Sequence, residues 1–179
     1  MRSASLVIWL LFATALSGCK LIDELRTFNL NYTVDFTVPS TTIIDLPLNL
    51  PTPSVTTNSE QRFENEGVES AWIESVKLIG LTCTITAPAG EDFSFLESIS
   101  IYMNATGQPE VLIANLEPVP ATADNSITLE VTRVDLYPYI SQNSFSLRTS
   151  VTTDESMTQN IDIAANLIIE VKATIPGGK

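Results

Sequence analysis

Carboxylates are the main side chains in this sequence that could act as acids, bases or metal ligands. The 179 residues include 21 Asp and Glu against 9 Lys and Arg, and there is no histidine. Two adjacent pairs, Glu91-Asp92 and Asp154-Glu155, each fall in a turn between predicted strands. Hydrolysis by two carboxylates requires side chains that face each other across a cleft, about 5–10 Å apart. Neighbours within one turn do not meet this requirement, so we predict solvated loops and a protein that is not an enzyme.

Metal, cofactor and nucleic-acid sites are not predicted either. Loop carboxylates suit calcium, but no Asp-x-Asp-x-Asp loop occurs, and Asp124-Asn125 alone is a weak match. Glycine-rich phosphate loops and basic stretches are absent from the sequence. The formal net charge of −12 repels nucleic acid and anionic headgroups. The sequence therefore predicts no cofactor, no metal and no nucleic-acid partner.

Cys83 is the second of two cysteines. Its run alternates in a way that places it on one strand face with Ile79, Leu81 and Ile85. A small thiol among apolar neighbours behaves as a buried hydrophobe. We therefore expect Cys83 to be buried and unreactive.

Four aromatic residues are candidates for a ligand surface: Trp72, Tyr102, Tyr137 and Tyr139. An aromatic ring can stack on the apolar face of a sugar. Aromatic rings more often fill the edge of a core while a hydroxyl reaches water, and the sequence favours that interpretation. Tyr102 shares a strand face with serines rather than with its apolar neighbours, so we expect it to point outward.

Alternation of apolar and polar residues predicts β-strands along most of the chain. The pattern is strict over 26–38, and a second long run covers 161–173. The shorter predicted strands cover 76–86, 98–103, 110–114, 127–132 and 145–151, with a possible edge strand at 42–46. Brief helical turns are expected at 67–76, 93–97 and 136–140.

These strands predict an all-β fold with one antiparallel β-sandwich, immunoglobulin-like or similar, and a small β-barrel is the alternative. Threonine, valine and isoleucine dominate the runs, as expected for branched side chains on a pleated surface. We assign residues 26–175 to a single domain, which suits a chain of this length.

The N-terminus has the pattern of a secretory signal. Arg2 is followed by an apolar run over 6–13, which is much shorter than the roughly 20 residues that span a membrane. The run leads into Leu16-Ser17-Gly18-Cys19. This motif resembles the lipobox of bacterial lipoproteins, and the alternative is an ordinary signal peptide with a chance cysteine.

The resemblance implies cleavage before Cys19 and lipid attachment to its thiol, with palmitate among the acyl chains. Residues 1–18 would then be removed, and residues 19–25 would form a short lipidated tether. The residue after the cysteine is Lys20 rather than Asp. By resemblance to the enteric sorting rule, this favours the outer membrane of a bacterial cell envelope.

Two functions agree with these features. The first is a non-catalytic envelope lipoprotein whose β-sandwich binds a protein partner or supports an assembly. The second is a small-ligand carrier that binds glycan through exposed aromatics or lipid between the sheets. A fold of this kind does not by itself choose between them.

Overall fold

The computed structural model describes residues 23–41 and 43–177. The predicted signal peptide, Cys19 and most of the tether lie outside this range. Ten strands and two short α-helices form within it, together with 3₁₀ turns at Ser70–Trp72 and Phe93–Phe95. The strands are β1 (Glu24–Val38), β2 (Leu48–Pro51), β3 (Val55–Thr56), β4 (Ile73–Ala87), β5 (Leu96–Ala105), β6 (Val111–Leu116), β7 (Ser126–Thr128), β8 (Glu130–Val131), β9 (Ser144–Thr153) and β10 (Ile161–Ile175), and the helices are α1 (Ser59–Asn65) and α2 (Tyr137–Ile140).

The strands form two antiparallel sheets, so the predicted all-β sandwich is confirmed. The first sheet has the order β1–β10–β4–β7. The second has the order β2–β9–β5–β6–β8, with β3 also paired to β9. β1 pairs with β10 over its full length, from Glu24 opposite Ile175 to Val38 opposite Ile161.

The core lies between the inner faces of the two sheets. Alternate residues of β1 from Leu30 to Val38 are buried, and β10 buries every second residue from Ile161 to Ala173. Helix α1 closes one end of this core, where Phe63 is 2% exposed and meets Phe28 edge-on at 6.2 Å between ring centroids. Burial of this many apolar side chains is the main contribution that stabilises the fold.

A β-bulge in β4 changes which residues face inward. The partners in β10 shift so that Ile168 lies opposite Gly80 and Ile169 opposite Leu78, which leaves Ile79 as an extra residue. Leu78 is consequently buried, whereas Ile79 is 42% exposed. The prediction that Ile79 shares the face of Cys83 was wrong, because strict alternation holds only while a strand has no bulge.

Three segments differ from the sequence prediction. The edge strand expected at 42–46 lies farther along the chain, at β2, and the short helix α1 was not predicted. The run over 127–132 splits into two strands, since β7 pairs with β4 in the first sheet and β8 pairs with β6 in the second. Alternation identifies a half-buried strand but does not say which sheet it joins.

The two ends of the sandwich are distinct. We call the end where β1 begins the near end, and the end where β1 finishes the far end. Strand pairing places four loops at the far end, since Val38, Ala87, Leu116 and Thr153 all lie at or next to that boundary of their sheets. These far-end loops are 39–47, 88–95, 117–125 and 154–160.

Candidate functional site

The four aromatic candidates do not form a single surface. Tyr139 is 6% exposed, and its hydroxyl donates to the carbonyl of Pro109 at 2.7 Å. Trp72 and Tyr137 are partly buried and pack against the core. These three rings occupy core or rim positions, which is the arrangement that the sequence favoured. The burial of Tyr139 removes its ring face from any ligand that approaches through solvent.

Tyr102 alone faces outward, from the middle of the second sheet. The guanidinium of Arg148 covers its ring at 4.0 Å from the centroid. Arg148 Nε donates to Glu110 Oε2 at 3.0 Å, and Asn104 donates to the same oxygen at 2.9 Å. Hydrogen bonds from Arg148 and, to a smaller extent, from Asn104 lower the pKa of Glu110. The charged groups here already satisfy one another, so this cluster stabilises the sheet surface rather than offering an open site.

Cys83 is buried, and burial raises the pKa of its thiol to about 12. A thiol with so high a pKa holds almost no nucleophilic thiolate at neutral pH. This agrees with the sequence interpretation of an inert core residue.

The fold brings residues of both carboxylate pairs to one depression, which the sequence did not predict. Loops 88–95 and 154–160 enclose a depression of about 160 Å³ whose lining includes Glu91, Asp92 and Glu155. Gln159 donates to Glu91 at 2.7 Å, and the Ser94 N–H donates to Asp92 at 2.9 Å. The hydrogen bonds from Ser94 lower the pKa of Asp92.

An exposed apolar segment lies in loop 39–47, which is hydrogen-bonded to Met157 of loop 154–160. Ile43, Ile44 and Leu46 are 49%, 43% and 60% exposed. The Asp45 N–H donates to the carbonyl of Thr153 at 2.9 Å. The Thr153 hydroxyl in turn donates to the carbonyl of Ile43 at 3.2 Å. These bonds hold the segment against the end of β9, directly before the loop that carries Asp154 and Glu155.

A second link joins the same two loops. Thr41 and Met157 form a bridge of two backbone hydrogen bonds, at 3.1 and 2.7 Å. The Ser40 N–H also donates to Asn160 Oδ1 at 2.8 Å. The apolar residues are therefore displayed by a hydrogen-bonded framework. We call the exposed segment 43–46 together with the depression lined by Glu91, Asp92 and Glu155 the far-end surface.

A larger, shallow depression of about 670 Å³ lies along the edge of β1 toward the same end. β1 is the outer strand of its sheet, so one side of its backbone has no neighbouring strand among the described residues. The lining contains exposed Asp35 and Asp162, and apolar groups of Pro39 and Leu50. Like the far-end surface, this depression contains both carboxylates and apolar side chains.

No described cluster is suited to a metal ion. Within residues 23–41 and 43–177, no group of three or more Cys, Asp or Glu side chains is arranged to hold one. In the same part of the chain, no helix has the length and apolar character needed to cross a membrane.

Comparisons with known proteins add little. No protein-family model and no curated protein matches this chain. A structure of the Gt strain of infectious bursal disease virus is 12% identical, with a TM-score of 0.39, over 87% of this chain and 33% of that one. Desmodium yellow mottle tymovirus is 14% identical, with a TM-score of 0.28, over 86% of this chain and 92% of that one. This chain spans about a third of the first protein's length. Both scores are too low for the likeness to inform function.

Proposed function

We propose that this chain is a lipid-anchored protein of a bacterial envelope whose β-sandwich catalyses no reaction and binds a protein partner. The anchor is Cys19, in the lipobox-like motif that ends at Gly18-Cys19. Two or three acyl chains hold a protein stably at a membrane, whereas one chain alone binds weakly. Lys20 favours the outer membrane as the destination.

The anchor would hold the near end of the sandwich close to the lipid. β1 begins at Glu24, five positions after Cys19 in the chain. Even fully extended, this stretch spans about 17 Å. β1 then continues for 15 residues, or about 48 Å, to the far end. A sandwich that stands away from the bilayer presents its far end to other molecules.

The exposure of Ile43, Ile44 and Leu46 at that end is the observation that carries the proposal. Burying such a side chain completely from full exposure is worth about 1.5–3 kcal/mol, and an interface gains the share that belongs to the exposed part of each of these three residues. Apolar residues exposed together on an ordered segment are typical of interaction surfaces. In an otherwise acidic protein, their display favours a partner that covers them.

The alternative of a lipid carrier has less support. Such a carrier needs an apolar cavity between its sheets. Here the space between the sheets contains close-packed side chains such as Leu81, Ile101 and Val151, each at 0% exposure. The depressions described above open at the surface instead. A glycan platform would depend on Tyr102, whose ring Arg148 already covers on one side.

The anchor is tested by the intact mass of the chain purified from membranes. We expect a protein that begins at Cys19 and carries the mass of its lipid, and we expect a Cys19→Ala variant to lose both the lipid and the membrane association. Retention of residues 1–18, or a wild-type chain without lipid, would contradict the anchor.

The partner is tested by a photo-crosslinking amino acid placed singly at positions 43 and 46 in living cells. A third variant carries it at Ile168, which is 41% exposed on the outer face of the first sheet. We expect one defined protein adduct from positions 43 and 46 and none from 168. Equal labelling at all three positions would rule out a specific far-end partner.

A further inference from the structure

The far end of the sandwich is uniformly acidic. Its four loops contain seven carboxylates and no lysine or arginine. All but Glu91 are exposed, and Glu91 is half-buried. The seven are Asp45, Glu91, Asp92, Glu117, Asp124, Asp154 and Glu155.

The basic residues lie elsewhere. The six that the structure describes all fall outside the far-end loops, in strands, in α1 or in other connections. Several compensate acids locally: Arg26 contacts Glu24 at 3.1 Å, and Lys172 contacts Glu170 at 3.1 Å. The negative charge at the far end has no such compensation, so the molecule is electrically polar along β1.

Acidic residues also border the apolar surface. Glu155 lies two residues after Thr153, whose carbonyl accepts the hydrogen bond from the Asp45 N–H. Asp35 and Asp162 border the shallow depression along β1, whose lining includes no basic side chain. Apolar groups surrounded by charge of one sign are complementary to a partner of the opposite charge.

The depression between loops 88–95 and 154–160 adds to the negative surface of this end. Carboxylates of Glu91, Asp92 and Glu155 line about 160 Å³, and hydrogen bonds from Ser94 favour the ionised form of Asp92. A lysine ammonium or an arginine guanidinium donates several hydrogen bonds and would pair with these oxygens. The like-charged far ends of two copies would repel each other, so a second copy of the chain is disfavoured.

We infer that the partner presents a lysine- or arginine-bearing polypeptide segment, with its cationic side chains toward the carboxylates of the far-end loops and its apolar side chains on Ile43, Ile44 and Leu46. This inference rests on the proposed function, because it names the chemistry of the partner that the far-end surface binds. Charge attraction over this end speeds association, and salt slows it.

The test uses the full lipidated chain in detergent and a synthetic twelve-residue peptide of alternating lysine and leucine. Three variant proteins are compared with wild type by fluorescence anisotropy. A far-end triple variant carries Glu91→Gln, Asp92→Asn and Glu155→Gln. A near-end triple variant carries Glu60→Gln, Glu64→Gln and Glu66→Gln, and it removes the same net charge from exposed positions in or next to α1. The third variant is Leu46→Ser.

We expect the far-end triple variant to weaken peptide binding about tenfold and the near-end triple variant to weaken it less than about twofold. Leu46→Ser should also weaken binding, and a peptide with glutamate in place of lysine should not bind. Equal losses in the two triple variants would mean attraction to net charge alone and would overturn the inference. Calcium binding in titrations without peptide, abolished by the far-end triple variant, would assign the acids to a metal and overturn it as well.

The two proposals fail separately. If crosslinking at positions 43 and 46 identifies a partner whose contacting segment is neutral or acidic, the partner-binding function stands and the basic-segment inference falls. If no crosslink forms but the peptide binds with the expected selectivity, the far-end chemistry stands without a cellular partner.

Discussion

At the scale of single residues, Thr149 is the clearest unfavourable position in the core. It lies in β9 at 0% exposure, and its hydroxyl has no hydrogen-bond partner among the described residues. A buried hydroxyl without a partner costs folding free energy because it has lost its water. We predict that Thr149→Val raises the free energy of unfolding by about 1 kcal/mol in urea denaturation.

Thr153 provides the matched control in the same strand. It is equally buried, but its hydroxyl donates to the carbonyl of Ile43 at 3.2 Å. Thr153→Val should therefore lower the free energy of unfolding by about 1 kcal/mol. If both variants lower the free energy of unfolding, the hydroxyl of Thr149 has a partner such as buried water.

The ion pair of Glu110 and Arg148 makes stability depend on pH. Because Arg148 lowers the pKa of Glu110 in the folded chain, the pair stabilises the fold above the ordinary carboxyl pKa, and this contribution is lost as pH falls through the folded pKa. We predict that Glu110→Gln destabilises the protein at pH 7 and that the difference from wild type shrinks toward zero in acid. Urea denaturation at several pH values measures this. A constant difference across the range would exclude the ion pair as its source.

The sequence predicted the burial of single side chains better than it predicted which side chains lie close together in space. The burial of Cys83 and the outward direction of Tyr102 followed from their strand faces. The placement of Glu91 and Glu155 at one depression did not follow from the sequence. The two residues are 64 positions apart in the chain, and only strand pairing brings their loops together. The sequence feature that indicates an acidic end is the absence of lysine and arginine from loops 39–47, 88–95, 117–125 and 154–160.

At the scale of secondary structure, the bulge in β4 reverses the expected roles of two neighbours. Leu78 is 1% exposed and Ile79 is 42% exposed. We predict that Leu78→Ala costs about 2–5 kcal/mol of unfolding free energy, whereas Ile79→Ala costs less than about 1 kcal/mol. Thermal or urea denaturation distinguishes them. The reverse order, with the larger cost at Ile79, would mean that the strand alternates through this region without a bulge.

The long strands were predictable because their pattern is strict. β1 and β10 alternate over many residues, and a shift of one residue would expose an entire apolar face. β2 was misplaced because prolines and threonines hide its short pattern, and its pairing with β9 is decided by tertiary contacts. Helix α1 has only seven residues, too few for its sequence to show a helical period.

At the scale of the whole molecule, uncompensated negative charge is concentrated at the far end. In the rest of the chain, basic residues partly neutralise the acidic ones. Composition predicted an acidic protein, but only the topology shows that four separate loops place seven carboxylates at one end. Apolar Ile43, Ile44 and Leu46 lie at the same end. The proposed anchor enters at the opposite end, so orientation and charge would act together to present one surface.

Because negative charge is concentrated at the far end, we expect the carboxylates of that end to account for most of the effect of salt on stability. The Debye length falls from about 30 Å at 0.01 M salt to about 8 Å at 0.15 M, so added salt screens repulsion between exposed carboxylates. We predict that the melting temperature of the wild type rises over this range. The rise should be smaller in the far-end triple variant, since the repulsion that salt screens has been removed.

The near-end triple variant is the control, because the residues that it changes lie close to basic side chains. Arg62 belongs to α1 itself, and Arg26 donates to the backbone carbonyl of Glu66. Neutralising Glu60, Glu64 and Glu66 removes attraction as well as repulsion, so this variant should keep most of the wild-type salt response. Differential scanning calorimetry at the two salt concentrations compares the three proteins. If both triple variants reduce the rise equally, the charge acts as a diffuse net charge, and the far end is not an electrostatically distinct surface.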